Sequence, residues 1–353
     1  MWDRTATVTD PSAIRVGVRV PATKPIRDIV VSVQRAEDAG FDYAGFPDSH
    51  LNYREVWTTL GVVAASTRRI GIGPNVTNLV TRHPTVTASA ARAVAELAPD
   101  RLFLGIGAGD SALGFDSLHH TGVDATAEGI GVVRALLAGE SVRYGTFQAA
   151  LREAHETVPV YVAASGPRML RMAGAVGDAV VVLMGSLEQK LERVADAARA
   201  AGRAAPPPVL VNTVCLITDD VAAATKLLKP ICLRVAQLEG AEVFARAGVP
   251  IDVPDHLLGA EGDIGHAADY AVAASEIDHL VSDEAALWFT TTRTLVGTAH
   301  DVRERLGSLA RLGLAGVTLS HLSGSELPDA LIDSAGPLVA AWKQTAPVEH
   351  RGV

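Results

Sequence analysis

The sequence predicts an α/β fold in which eight parallel strands close into a TIM-type (β/α)8 barrel. Three observations lead there. Strand-like apolar runs alternate with helix-length segments eight times, the pattern of a parallel sheet whose faces are covered by its own crossovers. At 353 residues and 48% hydrophobic composition the chain can bury one large core of this kind. No stretch reads as a flexible interdomain linker. The one Pro-rich run, "RAAPPPV", is expected to stiffen a turn into a strand.

The elements follow in order. In strand one, "AIRVGVRV", Ile14, Val16, Val18 and Val20 alternate with period two. A helix over 26–39 comes next, closed by Gly40. "FDYAGFPD" is strand two and "REVWTTLGVVAAST" helix two; "RRIGIGPNV" is strand three. Pro84, suited to a first helical turn, opens helix three, "TVTASAARAVAELA". "RLFLGIGAG" is strand four, with a helix over 126–138. "VPVYVAAS" and "DAVVVLM" are strands five and six around the helix "PRMLRMAGAV", and "PPVLVNTVCLI" is strand seven. "GVTLSHL", after the helix "DVRERLGSLARLG", is strand eight. Two segments depart from the repeat. Residues 139–158 form a short excursion between units four and five. Residues 221–293 hold more helix than one unit needs and are expected to form a helical insertion after strand seven. The whole chain, 1–353, is expected to be one domain.

Composition narrows the function. The formal charge is −9 with no block of like sign, so the electrostatic footprint of a nucleic-acid binder is missing. No apolar run approaches the roughly 18 residues of a spanning helix, and the opening "MWDRTATVTD" lacks a secretory apolar core. A soluble, cytoplasmic chain is expected. Cys215 and Cys232 are far apart and fit neither a metal site nor a disulfide framework, so no metal is expected.

In such a barrel, chemistry belongs to the loops that follow the strands. After strand two, Asp48, Ser49 and His50 offer a carboxylate, a hydroxyl and an imidazole; an ordinary helix N-cap is the competing reading. After strand three, Gly73, Pro74 and Asn75 restrict or free the backbone, and Arg82 and His83 either bind a ligand or brace neighbouring loops. After strand four, Gly105, Gly107 and Gly109 permit close backbone approach beside Asp110 and Ser111. The run matches G-x-G-x-x-G only in part and lacks the later ribose-binding acid, and no P-loop lysine is present. After strand five, Ser165, Gly166, Pro167 and Arg168 leave helix N–H groups pointing out of the mouth, a ready phosphate site. His256, His266, His279 and His321 either line a pocket or are solvated.

Taken together, "DAGFDYAGFPDSH", "GPNVTNLVTRHPTVTASA", "LGIGAGDSAL", "VPVYVAASGPRMLRMAG" and "VFARAGVP" resemble the luciferase-like superfamily of flavin and deazaflavin oxidoreductases. The likeness is to the methylenetetrahydromethanopterin reductase branch, which uses coenzyme F420. The motifs occur in the family's order along nearly the whole chain. The resemblance implies a barrel of the bacterial-luciferase type. It also implies a non-prolyl cis peptide at Asn75-Val76, with Thr77 beside it, backing the cofactor's central ring. Asp48, Gly107, Ala108, Gly109 and Asp110 would contact the ring and its polyol chain. The phosphate tail would lie near Ser165, Gly166, Pro167, Arg168 and Met169. Asp48, His50 and Asp110 are the implied catalytic groups, with His50 or Asp110 moving a proton. Two departures stand out. One extra residue separates Asp48 from His50 relative to the family's Asp-His pair. Arg19 stands where the methanogen reductases would carry an acid, which favours an anionic or carbonyl substrate.

Three readings follow. In the first, reduced coenzyme F420 exchanges a hydride with a small organic substrate. In the second, a two-component monooxygenase takes reduced FMN from a separate cofactor reductase and activates oxygen. In the third, the chain binds flavin without turnover. A homodimer is expected; the apolar helix "TASAARAVAELA" suits such a contact and equally suits packing onto its own barrel, the commoner use.

Overall fold

The computed structural model describes residues 14–109, 112–113, 122–254, 267, 269–322 and 326–344. The chain begins as regular strand-helix units: β1 (Arg15–Arg19), α1 (Ile26–Asp38), β2 (Tyr43–Phe46), α2 (Val56–Ser66), β3 (Gly71–Pro74), α3 (Pro84–Leu97), β4 (Leu104–Ile106) and α4 (Val123–Leu137). A hairpin, β5 (Val142–Tyr144) and β6 (Phe147–Ala149), fills the excursion before the repeat resumes. Then come β7 (Val160–Ala163), α5 (Pro167–Val176), β8 (Ala179–Leu183), α6 (Leu187–Ala200) and β9 (Val209–Ile217). Five helices depart from the repeat: α7 (Val221–Leu227), α8 (Lys229–Glu239), α9 (Ala241–Arg246), α10 (Tyr270–Glu276) and α11 (Asp283–Arg293). The chain returns through β10 (Leu295–Gly297), α12 (Ala299–Arg311), β11 (Gly316–Ser320) and α13 (Asp329–Gln344).

Eight of these strands run parallel in the order β3-β2-β1-β11-β9-β8-β7-β4. Two isolated parallel bridges, Ile72 to Leu102 and Thr77 to Ile106, join the ends of that row. The sheet is thereby a nearly closed barrel, as the eight alternations predict. Because every strand points the same way, all eight C-terminal ends open on one rim. The short β10 was not among the expected strands; it pairs with the far end of β9 alone. The helices α6 and α13 likewise add to those expected.

Local chemistry explains the helix starts. Glu55 caps α2, accepting from the amides of Trp57 and Thr58 at 3.2 and 2.6 Å, which satisfies two otherwise orphaned donors. Pro84 and Pro167 occupy first-turn positions in α3 and α5, where the missing N–H costs nothing. Thr298 and Asp301 form a reciprocal capping box on α12.

Aromatic rings fill the lower lumen. Phe103 stacks on Tyr161 with centroids 4.9 Å apart and meets Tyr43 edge-on at 5.9 Å. The Tyr43 hydroxyl is satisfied by Thr318 Oγ1 at 3.1 Å, so that buried group is not stranded. A second apolar core unites the departing helices around Leu228, Cys232, Leu233, Phe244 and Phe289. Both cysteines are free and buried, and burial pushes each thiol up to about 12, so neither is a nucleophile near neutral pH. Among the described residues no helix is long and apolar enough to cross a membrane, and no cluster of three or more His, Cys, Asp or Glu could hold a metal ion.

Candidate functional site at the barrel rim

The floor of the mouth is an amide pair. Asn75, just past β3, and Asn212, within β9, exchange two bonds of 3.3 Å, each side-chain N–H2 donating to the other's oxygen. Strands β3 and β9 are four steps apart in either direction round the eight-membered ring, so this pair spans the lumen. Gly45 makes room for it, since a Cβ there would stand 2.7 Å from the Asn75 Cβ. Asn212 was not among the expected site residues. Its signal is the one amide in the largely apolar strand "VLVNTVCLI", a polar side chain that a buried parallel strand tolerates only with a partner. Asn212→Leu, which strands the Asn75 amide, is expected to cost about 1–3 kcal/mol, measurable by denaturant unfolding.

Above this floor a cis peptide joins Asn75 and Val76, at the bond the sequence resemblance indicates. Past it the chain turns to β4: Thr77 N–H donates to the Gly105 carbonyl and Gly107 N–H donates to the Thr77 carbonyl, both at 2.9 Å. Val76 lies on a bed of glycines. A Cβ at Gly105 would stand 3.0 Å from its Cγ1, and one at Gly107 would stand 2.8 Å from its Cγ2. Only hydrogen at both positions lets the valine lie this close.

Asp48 sits beside this bulge. Its Oδ2 accepts from Thr77 Oγ1 at 2.6 Å and pairs with Arg82 Nη1 at 3.0 Å, and its side chain is only 6% exposed. Arg82 reaches on to Glu55 at 2.6 Å, which is itself the α2 cap. Burial raises the Glu55 pKa, but the amides of Thr58 and Trp57 and the Arg82 charge outweigh it and the net shift is downward. A chain of ion pairs from Glu55 through Arg82 to Asp48 fixes the loops after β2 and β3 together. Arg82, a candidate ligand contact or loop brace in the sequence, braces. His83 caps α3 by accepting from Thr85 N–H at 3.3 Å.

The remaining candidates distribute as follows. His50 is exposed on the turn after Asp48. Arg19, at the end of β1, donates to the Tyr53 hydroxyl at 3.0 Å and lies 5.7 Å from that ring's centroid. Ala108 and Gly109 follow β4, with Gly109 at φ 87°. Asp110 and Ser111 lie outside the described residues, as do His256 and His266. Ser165, Gly166 and Pro167 lead into α5, whose N-terminus has no side-chain cap. A Cβ at Gly166 would meet nothing within 4 Å. Free amides facing open space at a helix start suit a phosphate; Arg168 is exposed beside them and Met169 is partly buried. Arg19, Asp48, Val76, the β4 glycines and the α5 start thus occupy five consecutive positions round one rim.

Comparison with known proteins agrees with this architecture. The chain is 30% identical over 314 residues to the 5,10-methylenetetrahydromethanopterin reductase of Methanolobus tindarius, covering 84% of this chain and 91% of that one. The coenzyme F420-dependent tetrahydromethanopterin reductase of Methanopyrus kandleri superposes with a TM-score of 0.71 at 22% identity, covering 92% and 97% of the two chains. The EDTA monooxygenase of Chelativorans sp. BNC1 shares the fold at a TM-score of 0.64 and 15% identity, covering 96% of each. The model of luciferase-like monooxygenases matches residues 8–316, and the chain belongs to that family.

Proposed function

We propose that this protein is a coenzyme F420-dependent oxidoreductase that exchanges a hydride with a small organic substrate at the barrel mouth. One observation supports it above the others: the bed beneath Val76 and the uncapped start of α5 share a single rim. The first suits one face of a flat ring; the second suits a phosphate. The relatives named for coenzyme F420 support that cofactor over FMN. When bound, that cofactor would supply or accept the hydride.

The chain's own residues then have distinct roles. Val76 positions the ring, and Asn75 with Asn212 floors the space beneath it. Asp48, Gly107, Ala108, Gly109 and Asp110 hold the ring and polyol chain. Asp48 acts as an anchor, because Thr77 and Arg82 already fix its Oδ2. Ser165, Gly166, Pro167, Arg168 and Met169 hold the phosphate through backbone amides and one cation. His50 or Asp110 moves the proton that accompanies hydride transfer. Arg19, braced by Tyr53, meets an anionic or carbonyl substrate. The helices α7–α11 cap the mouth and exclude water. Exposed Val62, Val86 and Leu97 on α2 and α3 form the face through which two copies pair. The setting is the cytoplasm, where two unpaired thiols stay reduced.

The test is a titration with coenzyme F420 and with FMN, each oxidised and reduced, followed by fluorescence. Tight binding of coenzyme F420 is expected, and Asp48→Ala is expected to weaken it about tenfold or more and, because it breaks the Arg82 and Thr77 contacts, to lower the melting temperature as well. Tight binding of reduced FMN with no response to coenzyme F420 would overturn the proposal in favour of a two-component monooxygenase fed by a separate reductase. That second reading is favoured by the fold shared with the EDTA monooxygenase. Tight binding of oxidised FMN that neither donor nor oxygen alters would instead make the chain a non-catalytic flavin binder.

A further inference from the structure

The next strand round the ring after β7 is β8, and a cleft of about 580 Å³ opens beside the loop that follows it. Ser186, Gln189, Arg193, Arg246, Trp288 and Arg293 line it, from α6 and its preceding loop on one side and α9 and α11 on the other. Its ionisable lining is wholly basic among the described residues, in a chain whose formal charge is −9. Arg193 and Arg246 are exposed, and neither makes a hydrogen bond or ion pair among the described residues.

Arg293 differs, being buried and fixed. Its Nη1 pairs with Glu239 Oε2 and lies 3.4 Å from the Met184 carbonyl. Its guanidinium stands 5.3 Å from the Trp288 ring centroid and 5.9 Å from that of Phe244. It also lies flat against the loop, since a Cβ at Gly185 would stand 2.2 Å from Nη1. Glu239 is shared, however: Lys190 Nζ pairs with its other oxygen at 2.6 Å. One carboxylate thus serves two buried cations, which leaves net positive charge at the base of a cleft that already holds two more arginines. Buried charge without full compensation is costly, and arginines in a fixed fork favour planar or tetrahedral oxyanions.

We propose that this cleft binds the oxyanion of a small molecule, a carboxylate or a phosphate, held next to the barrel mouth. Two sources share that chemistry: an anionic substrate, or the acidic tail of the cofactor proposed above extending one ring position beyond α5. Only the second source rests on that cofactor reading; the cleft's own chemistry does not.

Citrate is the first probe, titrated calorimetrically into the full-length protein at low and moderate salt. Salt-sensitive binding is expected, and an Arg193→Ala/Arg246→Ala double variant is expected to lose affinity about tenfold per arginine. Arg246→Glu is expected to abolish it; because both side chains are exposed, the melting temperature serves as a folding control. Equal citrate affinity in wild type and double variant, or no citrate binding to wild type, overturns the proposal. The second arm titrates coenzyme F420 and its chromophore fragment lacking phosphate and glutamates. A loss confined to the complete cofactor identifies the tail as the source. Unchanged affinity for both, with citrate binding lost, identifies an anionic substrate. Should neither bind, the cofactor reading fails and the citrate result still decides the site.

Discussion

Gly105→Ala is expected to cost about 3 kcal/mol of stability, the upper end of what added core atoms usually cost. The reason is what the new methyl group meets. Its Cβ would stand 2.2 Å from the Pro74 carbonyl oxygen, which is backbone, and 3.0 Å from Val76 Cγ1. A flexible side chain can swing aside; a carbonyl between β3 and the Asn75-Val76 bond cannot move without shifting the strand. The place is also the barrel's weakest seam, because only the Ile72–Leu102 and Thr77–Ile106 bridges join β3 to β4. Gly107→Ala is the informative partner. There the Cβ would stand 2.8 Å from Val76 Cγ2 and 3.5 Å from the Ala163 Cβ, both side-chain carbons. Val76 can yield, so stability is expected to fall by about 1 kcal/mol while the proposed ring site loses its backing. Denaturant unfolding and cofactor titration, run on both variants, separate the two effects. Equal loss of stability at positions 105 and 107 would show that the seam and the bed are not distinct.

This contrast shows how far the sequence alone reaches. The parallel strands and their helices are legible because each is a local pattern: an apolar run, a cap, a turn. The loops that reach the rim follow from the same patterns, since parallel strands share one C-terminal end. The glycines of "LGIGAGD" are legible as places of close approach, but what approaches is not. That Val76 is the neighbour depends on the pairing of Thr77 with Ile106. Asn212 is harder still. Its partner Asn75 is 137 positions away and becomes a neighbour only when the ring brings opposite strands across the lumen. The arginine cleft is least legible of all, because its lining comes from α6, α9 and α11, whose association rests on tertiary contacts rather than on any repeat.

Glu239→Gln is expected to destabilise the protein by about 3–5 kcal/mol, the cost of removing the counter-charge from a buried pair. Lys190 and Arg293, both nearly inaccessible, depend on this one carboxylate. Lys190 keeps the Leu183 carbonyl at 2.9 Å, but a neutral amide at position 239 no longer offsets either charge. The pH dependence separates this cause from simple loss of packing. Burial lowers the Lys190 pKa from its ordinary 10.5, and the Glu239 charge and hydrogen bond oppose that shift. With the folded value below the unfolded one, the unfolded chain binds more protons between the two, so this group's contribution to stability rises with pH. Removing the Glu239 charge drops the folded value further and widens the window downward. The stability gap between wild type and Glu239→Gln should therefore narrow from pH 7 toward pH 10 as Lys190 sheds its proton, with part of the deficit remaining for Arg293. Chemical denaturation of both proteins across that range measures it. A gap that stays constant with pH would mean that Lys190 is not held charged by Glu239, and that the cluster joins the β8 loop to α8 and α11 by shape alone.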